Sequence, residues 1–374
     1  MALILDDPNR TVGAAHALVI GVGGYRHMPG GADPKDPVLQ QVGLLPQLTS
    51  PPRSAVGFAR FLLETKDDWH RPLGSIDLLV SPAPEDPDPF DGLTADPATI
   101  GSIRTAYAGW RARCDRSEDN QAIFYFCGHG VAKREQYLMA EDFGGDAFNP
   151  WLGAFAFDST RLAFHACAAK TQCFFIDACR NVTTPMLLNE PTAIPLEVLN
   201  FSEGECDHNL TMRGTAHNER ALGPKKKVSY FTQALIRALR GAAATQGDGG
   251  WVVETGQVSA HITTILRMVK ESEGFTQRAS SEVTGGVPLL RVSNPKVELV
   301  LSCDPSDADG IAELECTSPT RPFAESRHGA PWKLAVEPGF YIAKARFPNH
   351  EFRDVTEEII AVPPAKKPVL RCQP

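Results

Sequence analysis

Short apolar runs, too continuous to alternate between core and solvent, recur along the chain up to residue 292. They are ALVIGV (17–22), IDLLV (76–80), AIFYFC (122–127), QCFFID (172–177), NLTMRG (209–214) and VPLLRV (287–292). Such runs suit strands covered on both faces, as in a parallel sheet. Between them the apolar period changes to that of a helix. Residues 54–64 place Val56, Ala59, Phe61, Leu62 and Leu63 on one broad face, and residues 98–113 carry Ile100, Ile103, Tyr107 and Trp110 at spacings of three and four. Further helices are expected at 159–169 with Asp158 as N-cap, at 229–240 between Ser229 and Gly241, and at 257–271. Strands alternating with helices imply an α/β layered domain with a mainly parallel sheet.

After Asn294-Pro295 the texture changes. Segments 297–302, 311–316, 332–336, 339–346 and 357–362 read as short strands separated by Pro, Gly and Asp turns, with no helical period. They predict a small β-sandwich, and WKLAVEPGFYIAKARF resembles the hairpin of the prealbumin-like sandwiches appended to many bacterial enzymes. The expected division is a tail at 1–16, an α/β domain at 17–293 and a sandwich at 294–374.

Composition narrows the function classes. A net charge of −8, with Lys225-Lys226-Lys227 as the one basic run, argues against a nucleic-acid surface. No apolar stretch approaches the ~20 residues of a membrane span, and MALILDDPNR is not a secretory signal. The nine cysteines are scattered through predicted strands and helices, which points to thiols in a reducing, cytoplasmic setting rather than a disulfide framework.

Two strands end in reactive side chains. IFYFC runs into Gly128-His129-Gly130, and CFFID into Ala178-Cys179. In an open parallel sheet the carboxyl ends of the strands share one edge, where ligands bind. His129 and Cys179 should therefore be neighbours although fifty residues separate them. An imidazole that exchanges a proton with a thiol makes it a nucleophile, and the amides of Gly130 and Cys179 are candidates for an oxyanion hole. His165, Cys167 and Cys173 are spread over a helix and a strand and do not form a zinc set. Gly21-x-Gly23-Gly24 resembles a dinucleotide loop, but Arg26 occupies the place of the third glycine.

On these motifs the chain is identified as a member of the caspase and metacaspase superfamily. IFYFCGHG resembles its histidine motif and FFIDACRN its cysteine motif. QYLMAED (136–142) is similar to the strand after the histidine loop, RGTAHNERALG with SYFTQALIRALRG to the small-subunit strand, loop and helix, and ALVIGVGGYR to the opening strand. The resemblance implies a caspase-like α/β/α fold and a cysteine endopeptidase acting on proteins or peptides. In it His129 is the general acid and base and Cys179 the nucleophile, with the amides of Gly130 and Cys179 binding the oxyanion.

The departures bear on specificity. Animal caspases have Gln where Asp177 stands and an Arg-bearing segment where this chain reads Ala221-Leu222-Gly223. An Asp two residues before the Cys is similar to metacaspases and paracaspases, which cut after Arg or Lys. Alternation along an extended segment points Asp177 and Cys179 the same way, although Asp177 could instead cap the following helix. Glu219 falls where those relatives carry a second acid, and Asp33 or Asp36 could supply a third.

Relatives are often cut between the two parts of the peptidase. Here residues 182–212 contain no Lys or Arg, so the expectation is either activity without linker cleavage or activation by an upstream protease. Some relatives need calcium, for which acids at 85–91 and 304–309 are available; no other cofactor is expected. The resemblance suggests a regulated bacterial protease of antiviral defence or programmed death. The alternative is a catalytically silent scaffold whose sandwich binds a partner.

Overall fold

The apolar runs become the middle of a sheet. In the computed structural model, which describes residues 3–35, 45–180, 191–198, 206–215, 223–270 and 277–374, the chain divides into two compact units. One holds the residues up to Ile236 together with Ile262–Leu290, the other Arg237–His261 with Arg291–Pro374.

The first unit runs β1 (Leu3–Asp6), β2 (Ala15–Val22), α1 (Ser50–Glu64), β3 (Leu73–Ser81), α2 (Ile100–Cys114) and β4 (Gln121–Gly128). A small sheet follows, of β5 (Gly130–Ala132), β6 (Gln136–Met139) and β7 (Ala154–Ala156), then α3 (Phe157–Phe164), β8 (Thr171–Ala178), β9 (His208–Arg213) and α4 (Tyr230–Arg237). The hairpin β10 (Ala244–Gly247) and β11 (Gly250–Glu254) belongs to the second unit, as do the start of α5 (Thr255–Lys270) and the end of β13 (Pro288–Val292); the rest of α5, β12 (Ser280–Thr284) and the start of β13 belong to the first. The main sheet has seven strands in the order β1-β3-β2-β4-β8-β9-β12. The five inner strands are parallel, and β1 and β12 close the edges antiparallel.

Period two along β4 and β8 decides the layering. Phe124, Phe126, Phe174 and Ile176 join a core with Trp110 of α2 and Phe164 of α3. Tyr125 and Phe175 point the other way, against Phe58 of α1, with ring centroids 4.7 and 6.0 Å away. Helices therefore cover both faces, and the expected α/β/α layering is present. Each fully buried Phe contributes roughly 2–3 kcal/mol through removal from water, so these strands are held firmly in register.

Some expectations shift. The stretch read as a tail supplies edge strand β1 and the first residues of β2. The apolar run at 287–292 forms β13, but this lies outside the seven-stranded sheet. Its expected place goes to SSEVT of β12, an exposed edge strand that needs one ladder of hydrogen bonds and no apolar face. The third helix stops at Phe164 and unwinds through three-residue turns, with Asp158 inside its first turn rather than at its cap.

The second unit contains two antiparallel-rich sheets. One orders β17 (Trp332–Val336), β14 (Val297–Asp304) and β20 (Ala365–Lys366), with β21 (Val369–Arg371) also on β14. The other orders β16 (Phe323–His328), β15 (Glu313–Ser318), β18 (Gly339–Arg346) and β19 (Val355–Ala361). Alternate residues of both sheets, among them Leu299, Leu314, Trp332, Tyr341 and Ile359, make one core, as in a sandwich. None of the nine cysteines of the chain is in a disulfide. Among the described residues no helix is long and apolar enough to cross a membrane.

Candidate active site

The site is built by the pairing of β4 with β8. These neighbours run parallel with Cys127 opposite Asp177 and Gly128 opposite Ala178, so His129 and Cys179 leave the sheet side by side. A Cβ placed on Gly130 would stand 3.0 Å from both the Ala178 Cβ and the Cys179 carbonyl oxygen, so any side chain there would crowd the strand end that carries Cys179. His129, Cys179, Asp177, Cys127 and Ser229 line one cavity of about 660 Å³, whose outer wall comes from residues 46–51 and Pro84-Glu85.

His129 is 6% exposed. Its backbone N–H donates to the Tyr25 hydroxyl at 2.6 Å, and its Nε2 lies 2.8 Å from the Pro46 carbonyl oxygen. A carbonyl can only accept, so Nε2 carries the hydrogen and the neutral ring keeps its lone pair on Nδ1. Burial pushes the imidazole down to about 4, against a smaller opposing effect of the Pro46 carbonyl. At neutral pH the ring is therefore a proton acceptor. Cys179 is half-buried at the mouth of the strand.

Asp177 is 2% exposed. Its Oδ2 accepts hydrogen bonds from the hydroxyl of Ser229, from Thr232 Oγ1 at 3.0 Å and from the Cys127 thiol at 3.5 Å. Tyr125 lies 2.6 Å behind Thr232 and can supply that hydroxyl with a donor of its own. Oδ1 has no partner among the described residues. Burial raises the carboxyl above its ordinary value, and the three donors to Oδ2 oppose that rise. The cavity thus has an acid at its base with one oxygen saturated and one unpaired.

A family model described as the caspase domain matches residues 89–284, a stretch that contains His129, Asp177 and Cys179. The chain belongs to the caspase domain family. An uncharacterized protein of Sinorhizobium fredii is 31% identical over 278 residues, covering 71% of this chain and 80% of the relative. A probable protease of a Desulfuromonadales bacterium is 30% identical over 256 residues, covering 65% of this chain but 29% of the relative's length. Among solved structures, caspase-1 from Spodoptera frugiperda superposes with a TM-score of 0.40 at 13% identity, over 76% of this chain and 96% of that one.

Within this caspase-family domain the sequence-predicted residues part company. His129, Cys179, Gly130 and Asp177 come together at one sheet edge. Asp33 is not among the residues lining the cavity; its carboxylate stands 3.2 Å from His27 Nδ1 and 4.0 Å from Lys35 Nζ. Asp36 and Glu219 lie outside the described residues. Nor do the acids considered for calcium converge. Asp86 pairs with Arg53, Asp91 with Arg60, and Asp309 accepts the Cys303 N–H. Among the described residues no group of three or more His, Cys, Asp or Glu is placed to hold a metal ion.

Sequence reasoning missed four contributors. Ser229 was legible as a helix cap, and it does accept the Thr232 N–H at 3.2 Å, but its second bond to Asp177 required the fold. Thr232, Tyr25 and the Pro46 carbonyl gave no signal, because each acts through a contact between segments far apart in the chain.

Proposed function

We propose that this caspase-family domain is a cysteine endopeptidase that cleaves proteins or peptides after Arg or Lys. Nδ1 of neutral His129 takes the Cys179 thiol proton as the sulfur attacks the scissile carbonyl carbon. The N–H groups of Gly130 and Cys179 stabilise the oxyanion. When the tetrahedral intermediate collapses, the C–N bond breaks, His129 returns its proton to the leaving amine, and a thioester remains on Cys179. Water then attacks the thioester, with His129 again taking the proton, and releases the carboxylate product and the thiol.

The observation that carries the specificity is Asp177, a buried carboxylate in the same cavity as His129 and Cys179, with Oδ1 unpaired among the described residues. A cationic side chain entering the cavity meets an opposite charge; a neutral one leaves that charge buried without a counter-ion, at a cost of ~3–5 kcal/mol. The test is a peptide-library cleavage screen with wild type and Cys179→Ala. Cleavage confined to bonds after Arg and Lys and lost in the variant supports the reading; cleavage after acidic or apolar residues refutes it. Protein substrates and a regulated role in bacterial defence or programmed death follow from the family and remain part of the proposal.

A further inference from the structure

The glycine-rich loop after β2, with its partial likeness to a dinucleotide loop, has no part in the chemistry above. Its contacts give it another task. Tyr25, at the end of that loop, is fully buried. Its hydroxyl donates to the Val22 carbonyl at 3.2 Å and accepts the His129 N–H at 2.6 Å. Its ring lies 4.8 Å from the imidazole, centroid to centroid. The glycine before the histidine fits the same contact, since a Cβ on Gly128 would sit 2.9 Å from the Tyr25 hydroxyl.

Gln47 joins this support to the second one. Its Oε1 accepts the Tyr25 N–H at 2.7 Å, while Nε2 donates to the carbonyls of Tyr25 at 3.0 Å and Pro29 at 2.9 Å. The residue before it is Pro46, whose carbonyl holds His129 Nε2. The histidine is thus held at its backbone N–H by Tyr25 and at its ring N–H by Pro46, and one glutamine side chain ties the two holders together.

We infer that Tyr25 and Gln47 are positioning residues for His129: neither reacts, and together they keep Nε2 engaged by the Pro46 carbonyl so that Nδ1 is the proton acceptor in the cavity. A phenylalanine at position 25 fills the same space and keeps the ring contact, but leaves the His129 N–H without its acceptor. The ring then occupies its productive pose for a smaller fraction of the time. Proton transfer slows while substrate binding, which depends on other groups, is unchanged.

The inference rests on His129 acting as general base but not on the preference for Arg or Lys, and the experiment separates the two. In full-length Tyr25→Phe and Gln47→Ala, kcat and KM are measured on the best peptide of the library. The pH dependence of Cys179 alkylation by iodoacetamide, read by peptide mass spectrometry, needs no substrate. The expected result in both variants is a kcat lower by about 10-fold or more and an alkylation profile displaced toward that of His129→Ala, with KM within about twofold in Tyr25→Phe, whose side chain does not line the cavity. Tyr25→Phe keeps the wild-type melting temperature to within a few degrees, so it carries the test if Gln47→Ala does not fold. A wild-type alkylation profile in Tyr25→Phe overturns the inference, as does a kcat loss that only parallels loss of thermal stability. If wild type leaves Arg and Lys peptides uncut while the profile still moves in Tyr25→Phe, the specificity proposal fails and the positioning role stands.

Discussion

Thr232 donates its hydroxyl to Asp177 at 3.0 Å, across 55 residues of sequence, and Ser229 joins it on the same carboxylate oxygen. Two residues of the first turn of α4 and its cap thereby fix the acid on which the proposed specificity depends. Each of the following expectations concerns this site or its immediate support.

Replacing Asp177 with Asn keeps the shape and removes the charge. Cleavage of Arg and Lys peptides should fall by about 100-fold or more in kcat/KM, the equivalent of leaving a buried cation without its partner. Alkylation of Cys179 by iodoacetamide should continue at close to the wild-type rate. Steady-state kinetics on matched Arg and citrulline peptides gives the answer, and unchanged discrimination between the two removes Asp177 from the pocket.

The pH dependence of KM follows from the direction in which burial moves Asp177. Its carboxyl titrates above the ordinary ~3.8–3.9, so KM for basic peptides should climb as pH falls through that raised value, while KM for neutral analogues stays flat. Ser229→Ala removes a donor that favours the ionised form and should move the climb to higher pH; Ser229→Thr, which keeps a hydroxyl, should restore it. A midpoint that ignores both substitutions contradicts the network.

Acid should weaken the fold through its buried histidines. His129 and His16 are both pushed down to about 4 by burial, so at these two positions the unfolded chain binds more protons than the folded one between about 4 and 6.5. Stability is complete above that window and is lost as pH falls through it, by at most ~3 kcal/mol per histidine. Asp177 and Asp77 act in the opposite sense: burial raises both carboxyls, Asp77 to about 6, so the stability each contributes is present below its ordinary value and is lost as pH rises through its raised one. Between pH 7 and pH 5 the urea midpoint of wild type should shift further toward destabilisation than that of His129→Gln, by the share that His129 carries.

Self-cleavage should avoid the linker. Residues 182–212 lack Lys and Arg, and Arg213 is 4% exposed and clamped between Asp158 and Glu282. Lys225, Lys226 and Lys227, by contrast, lie exposed in a turn, with Lys225 on the cavity wall. Intact-mass and N-terminal analysis of an active preparation should find any nick after one of these lysines and none within 182–212, with no nick in Cys179→Ala. A cut inside the linker made by the purified enzyme contradicts the basic preference.

How much of this was readable beforehand depended on whether a residue acts through pattern or through meeting. The strands Trp332–Val336 and Gly339–Arg346 fall where alternation put them, because a half-buried strand writes its two faces into the sequence. The buried inner strands were equally legible, and parallel order then brought His129 beside Cys179 from topology alone. SSEVT of β12 was not, since its one apolar residue, Val283, is exposed and the strand has no buried apolar face to announce it. Asp33 was drawn toward the pocket by its position after β2, yet the chain turns and sets it beside His27. Tyr25 and Pro46 support the histidine with a hydroxyl and a main-chain oxygen, and no residue type advertises such a role.

The register of β4 against β8 has one more consequence. Asp177 is the last residue but one of β8 and Cys179 the first beyond it, and both line the cavity, the acid buried and the thiol half-buried. In the proposed reading, a substitution at 177 alters which peptides fit and leaves the reacting sulfur where the ladder set it. A lineage descended from such a chain can change its diet one codon at a time, without rebuilding the tool that does the cutting.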